Sequence, residues 1–291
     1  MTDQPKLTGP ATAEDELAGS EAPLLDHLIE LRKRMIRSAI VLIGLLIAFF
    51  FVSQGILEFL IEPYRQAYLT VVPHGMQQVI PEDFKLIYTA PQELFFTQLN
   101  VAFFAALFVG FPYLATEVYG FVAPGLYKKE RRAFLPYLVA TPAFFFTGGL
   151  LVYYAILPMA MRFFLSMQTA DIEMLVQVSE CLGLSMTLIL AFGVCFQLPV
   201  VLTLLAQIDL VTSKTLGKGR RYAIVAILVF AAFITPPDPI SQIGLAIPMY
   251  LLYELSILSV KWVERSRAKA LAAEATDLAT TTAEPADKTG A

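Results

Sequence analysis

Apolar residues run along this chain in long blocks, broken by short segments rich in Lys, Arg, Pro and Gly. The blocks lie at about 36–55, 94–118, 134–157, 180–206, 221–235 and 242–260. Several reach the ~20 residues that a helix needs to cross a ~30 Å hydrocarbon core. The period-two alternation of a membrane β-barrel is absent. The pattern predicts an all-α integral membrane protein with six transmembrane helices. Residues 1–20 and 266–291 are polar by composition and are expected to be disordered tails, which leaves 21–265 as one membrane domain.

Three irregularities refine that picture. The segment between the first two blocks, about 56–93, is long and interrupted by Pro63, Pro73, Pro81 and Pro91, yet rich in aromatic and aliphatic residues. It is expected to form short interfacial segments or a cap on the outer face. The fifth block has only about fifteen residues before Pro236–Pro237, which is ~22 Å of helix and shorter than the bilayer core. Prolines also recur inside the helices, at Pro112, Pro136, Pro142, Pro199 and Pro248. Each removes a backbone hydrogen bond and tends to kink its helix, so several together suit a curved wall.

Composition agrees with the membrane class: 57% of residues are hydrophobic and 16% charged, with a mean hydropathy of +0.64. The charges give the orientation. Arg32, Lys33, Arg34 and Arg37 precede span one; Lys128, Lys129, Arg131 and Arg132 separate spans two and three. Lys214, Lys218, Arg220 and Arg221 separate spans four and five; Lys261, Arg265, Arg267 and Lys269 follow span six. The opposite face offers only Arg65, Lys85 and Arg162. By the positive-inside rule both termini are cytoplasmic. The net charge of −4 comes from acidic tails and outer loops and points to no nucleic-acid partner. Residues 1–23 lack an apolar signal-peptide core, so span one is expected to act as the insertion signal. Cys181 and Cys195 would lie ~21 Å apart on one helix, too far to bridge, and read as small buried hydrophobes.

Enzymatic chemistry is hard to find. His27 and His74 lie outside the spans, and no HExxH, GxSxG or Walker A pattern occurs. No metal site, cofactor or catalytic residue is expected. What remains are polar residues in costly places. Gln197 lies within span four, suited either to binding or to helix packing. Glu117 and Glu254 fall near inner span ends. Thr235, Asp238 and Gln242 sit in the outer hairpin, where Asp238 suits a helix cap. Two further carboxylates stand among cytoplasmic cations: Glu30 in HLIELRKR (27–34) and Glu130 in FVAPGLYKKERR (121–132). Orientation needs only cations, so these glutamates are either solvated helix pairs such as Glu30–Arg34, or clamps for a guanidinium.

The segments HLIELRKR, FVAPGLYKKERR, FGVCFQLP (192–199) and TPPDPISQ followed by AIPMYLLYE (235–254) together resemble the TatC family, over about residues 24–262. TatC is the multi-spanning core subunit of the twin-arginine protein translocase. The resemblance implies six helices in a curved, glove-like wall with short helices five and six. It implies a receptor in the bacterial cytoplasmic (inner) membrane for twin-arginine signal peptides on folded cargo. Translocation would be driven by the proton-motive force, with single-span TatA and/or TatB subunits and other TatC copies as partners in the lipid bilayer. By motif match, Glu30, Arg32, Phe121 and Glu130 belong to signal-peptide binding. Gln197 matches a position that is glutamate in some members; with Thr235, Asp238 and Gln242 it falls where partner subunits are expected. Pro63 matches a functional proline of the first outer loop. The alternative is a secondary transporter of a small solute, although neither an internal repeat nor midplane charge is present.

Overall fold

The computed structural model describes residues 13–71, 86–122, 135–167, 176–234 and 239–282. Nine helices account for almost all of them: α1 (Ala13–Phe51), α2 (Ser53–Val71), α3 (Glu93–Val122), α4 (Leu135–Leu151), α5 (Leu157–Ser166), α6 (Val178–Cys195), α7 (Leu198–Gln207), α8 (Ser213–Ile234) and α9 (Pro239–Thr282). A π-helical turn, Val152–Ile156, joins α4 to α5. Among the described residues no strand occurs, only an isolated bridge between Ile87 and Gln177.

Four stretches are long and apolar enough to cross a membrane: Glu93–Phe121, Tyr137–Ser166, Val178–Gln207 and Gln242–Lys269. A fifth is the pair Leu28–Phe50 and Ser53–Tyr68, bent by 80°. At the bend the Ser53 hydroxyl donates to the Phe50 carbonyl at 2.8 Å, satisfying an acceptor that the ending helix leaves open. The segment expected to be short interfacial pieces therefore begins as a nineteen-residue helix with Pro63 in its interior. Its Tyr64 is buried and bonds the Cys181 carbonyl and Ser185 hydroxyl of α6, which fixes α2 against the core.

The third span runs to Ser166, beyond the expected 157, because the π turn carries the helix past Pro158. The fifth helix starts at Ser213, eight residues earlier than the apolar pattern marks. Its first turns carry Lys214, Lys218, Arg220 and Arg221, so only 222–234 is apolar and α8 falls short as a span. Helix α9 continues to Thr282, so residues 266–282, read as a disordered tail, are helical here. Their run of Ala, Leu, Lys and Glu has high helix propensity, which a composition argument for disorder overlooks.

The helices form a row more than a bundle. Helix α1 packs chiefly on α3, α3 on α4 and α6, α4 on α6, α7 on α9, and α9 on α8. Neighbours α1 and α3 are antiparallel, since Arg34 meets Glu117 while Phe50 meets Phe95. Large apolar side chains consequently remain on the surface, among them Ile36, Ile40, Ile43 and Ile47 of α1 and Val225, Val229 and Phe233 of α8. In water such an area would aggregate; in a bilayer it is the lipid-facing surface. Lipid provides little drive for helices to associate, so close backbone contact matters. The α4–α6 seam supplies it. A Cβ on Gly148 would lie 2.8 Å from the Phe192 carbonyl, and one on Gly193 would lie 2.7 Å from the Phe145 ring.

Replacing Gly148 by Val is expected to force these helices apart and destabilise the protein by ~1–3 kcal/mol or more. Gly44→Ala, which meets nothing within 4 Å, is the control. Thermal unfolding of the detergent-solubilised variants, followed by circular dichroism, checks this; equal midpoints for the two would refute it.

Candidate functional site

The basic end of α1 meets the last turns of α3 through a network of charges. Glu30, Arg34 and Arg37 are spaced four and three residues apart and therefore share one helix face. Tyr113 and Glu117 are spaced by four on α3. The Glu117 side chain is only 9% exposed and both its oxygens are engaged. Tyr113 donates its hydroxyl to Oε1 at 2.8 Å, Arg37 donates Nη1 to Oε1 at 3.2 Å, and Arg34 donates Nη1 to Oε2 at 3.1 Å. Arg34 also donates Nε (3.0 Å) and Nη2 (2.7 Å) to Oε1 of Glu30. Its guanidinium thus bridges a buried carboxylate and a more exposed one. Gly120, one turn beyond Glu117, makes room for it, since a Cβ there would collide with the Arg34 guanidinium.

Beside this network lies a cleft of about 400 Å³ lined by Ile29, Glu30, Lys33, Arg34 and Arg37. Its lining sets one carboxylate, Glu30, among three cations, Lys33, Arg34 and Arg37, beside the apolar Ile29. Arg32 is exposed, two residues away from Glu30 and Arg34 and off their face. Phe121 is half-buried on the same last turn of α3 as Gly120 and Glu117. Of the four residues expected at the signal site, Glu30 and Phe121 thus belong to facing helices. Glu130 lies outside the described residues.

The intramembrane residues are less concentrated. Gln197 stands in the break between α6 and α7 and donates Nε2 to the Thr141 carbonyl at 2.9 Å. Thr141 Oγ1 pairs with the Tyr119 hydroxyl at 2.6 Å, so a polar thread joins α7, α4 and α3. The Gln197–Thr141 bond is a helix-packing contact. Gln242 donates Nε2 to the Leu228 carbonyl at 3.2 Å and ties the start of α9 to α8; Thr235 and Asp238 lie outside the described residues. Pro63 is buried in α2 beside a second cavity, of about 260 Å³, that Phe59, Tyr153 and Tyr154 help line. Glu30 and Gln242 thus stand on different helices, α1 and α9.

Sequence reasoning paired Arg34 with Glu30, as the structure shows, but undervalued Glu117, taken as interfacial, and Arg37, taken as an orientation charge, and missed the Arg34–Glu117 bond. The available signal was the i,i+4 pair Tyr113–Glu117 opposite an acidic–basic helix face. It also missed a polar knot at the far end, where Glu93 accepts from the Thr89 N–H at 2.7 Å and the Ser179 hydroxyl at 2.8 Å. Elsewhere, Glu254 is held by Arg220 at 2.8 Å and Tyr250 at 3.0 Å, so it too is neutralised rather than open.

Residues 26–248 match the family described as Sec-independent protein translocase protein (TatC). The chain belongs to the TatC family. It is 45% identical over 255 residues to the TatC protein of Magnetococcus marinus, covering 87% of this chain and 89% of that one. To the Escherichia coli K12 protein it is 32% identical over 235 residues, covering 81% and 86%. A solved structure described as the twin arginine translocase receptor TatC superposes with a TM-score of 0.70 at 30% identity, covering 82% of this chain and 99% of that chain. The TatC relationship makes this an all-α, multi-pass membrane protein of the Sec-independent translocase class. The small-solute transporter reading has no support among these relatives and is set aside.

Within the TatC fold, Glu117 is the hub joining α1 to α3. Glu117→Ala is expected to remove the carboxylate partner of Arg37 and one of the two that hold Arg34, and to lower the apparent unfolding temperature by roughly 3–10 °C. Arg37→Gln, whose side chain is 52% exposed, should lower it less. Differential scanning fluorimetry of both variants tests the ranking.

Proposed function

We propose that this chain is the signal-peptide receptor and core subunit of a twin-arginine translocase. The observation that carries the reading is Glu30: a carboxylate at the edge of a cleft, already gripping a guanidinium through two N–H donors. Glu30 would favour arginine over lysine because a planar guanidinium fork can use both carboxylate oxygens whereas an ammonium is a point charge. Glu30 takes one guanidinium of the signal and Glu130, by motif match, the other. Phe121 and Arg32 help hold the peptide, and the surrounding cations disfavour basic peptides in general.

The remaining roles follow from the family. Gln197, Thr235, Asp238 and Gln242 serve contacts with single-span TatA- or TatB-type partners, and Pro63 shapes the first outer loop. The chain itself performs no catalytic step; the proton-motive force drives transport of folded cargo. The protein resides in the bacterial cytoplasmic membrane with both termini inside, and α8 makes the sixth crossing although 222–234 spans only ~20 Å. A bilayer thinned locally around α8 accommodates that length.

A photoreactive side chain at exposed Lys33 is expected to crosslink a twin-arginine precursor and to lose the product with a twin-lysine precursor or with Glu30→Ala. Equal crosslinking of both precursors would refute the receptor reading. For the topology, alkaline phosphatase fused after Thr282 should be inactive and an insertion at 235–238 active; inactivity at 235–238 with activity after Thr282 would remove the crossing assigned to α8.

A further inference from the structure

Glu30 is not an open carboxylate. Arg34 holds it with two hydrogen bonds, both on Oε1, and the same guanidinium reaches Glu117 with its remaining nitrogen. We propose that Arg34 is a resident competitor for the signal peptide's arginine, an affinity-setting residue that must release Glu30 before a signal is bound. The proposal rests on Glu30 being a receptor carboxylate.

Three features of the cluster support an exchange. The Glu30 side chain is 37% exposed and that of Glu117 is 9% exposed, so the outer carboxylate is the one a visitor can reach. Arg34 grips a single oxygen of Glu30, whereas a guanidinium arriving from the cleft can engage both oxygens side-on, the stronger arrangement. Arg34 also has somewhere to remain. Glu117 keeps it after Glu30 is surrendered, together with Arg37 and Tyr113, so no buried carboxylate is left bare. The swap keeps every charge paired, with one guanidinium replacing another on Glu30.

The device sets affinity. Each ligand that needs Glu30 binds only the fraction of chains in which Arg34 has let go, so the competitor weakens all of them by the same factor. Discrimination against lysine comes from the fork that an ammonium cannot form.

The test uses the full chain in lipid nanodiscs, with fluorescent twin-arginine and twin-lysine signal peptides titrated by anisotropy. Arg34→Gln should tighten the twin-arginine peptide about tenfold, or ~1.4 kcal/mol, with the ratio of the two affinities near that of the wild type. Arg34→Lys, which preserves the charge but not the fork, should tighten it less and serves if Arg34→Gln misfolds. Lys218→Gln on α8 is the charge-matched control and should keep the wild-type affinity. Unchanged or weaker twin-arginine binding in a folded Arg34 variant, or an equal gain in Lys218→Gln, would overturn the proposal. Glu30→Gln separates the two readings. If it leaves binding intact, the receptor reading itself fails; if it abolishes binding while Arg34→Gln changes nothing, only the competitor role fails.

Discussion

A carboxylate buried between two apolar helices must be neutralised where it stands, and that requirement at Glu117 organises the basic end of the molecule. An uncompensated charge there would cost several kcal/mol. Tyr113 can donate one hydrogen bond from the same helix, but the cations must come from elsewhere. Arg34 and Arg37 of α1 supply them, which locks the register of α1 against α3. Once Arg34 is committed to Glu117, its guanidinium is also placed against Glu30 one turn earlier. The cleft, its exposed carboxylate and its cationic rim all follow from that lock.

The middle of the wall is held differently. Lipid tails resemble side chains too closely for the hydrophobic effect to press helices together, so contact area and local polar bonds decide the packing. Gly148 and Gly193 let α4 and α6 approach until backbone and ring atoms touch. Gln197, in the break ahead of Pro199, is free of the constraints of a continuous helix and reaches across to the Thr141 carbonyl. The same thread continues to Tyr119 on α3, the helix that carries Glu117. A mid-membrane polar residue and the proposed receptor cleft are thereby joined through one helix.

At the far edge of the row, α8 is the shallow element, and side chains set its depth. Its N-terminus is capped by Glu264 of α9, which accepts from the Ser213 N–H at 2.7 Å and hydroxyl at 2.6 Å. Arg267 pairs with Asp209 at 2.6 Å in the preceding turn, and Arg220 with Glu254 one helix over. Three ion or cap contacts to α9 hold the basic first turns of α8 at one level. Its short apolar segment then follows from where those turns are anchored.

Much of this was legible in the chain itself. Helices, their approximate limits and their alternating direction follow from apolar block length and from the placement of Lys and Arg, because both report local transfer energies that need no tertiary partner. The resemblance of four short motifs identified the family and pointed to Glu30. Three things were decided only by the fold: the 80° turn after Phe51, the choice of Thr141 as the partner of Gln197, and the extension of the Glu30–Arg34 helix pair to the buried Glu117. Each depends on which groups residues distant in sequence present to one another. A helical pattern states which face a side chain occupies, but only packing supplies the opposite face, and a charge acquires its role from what stands there.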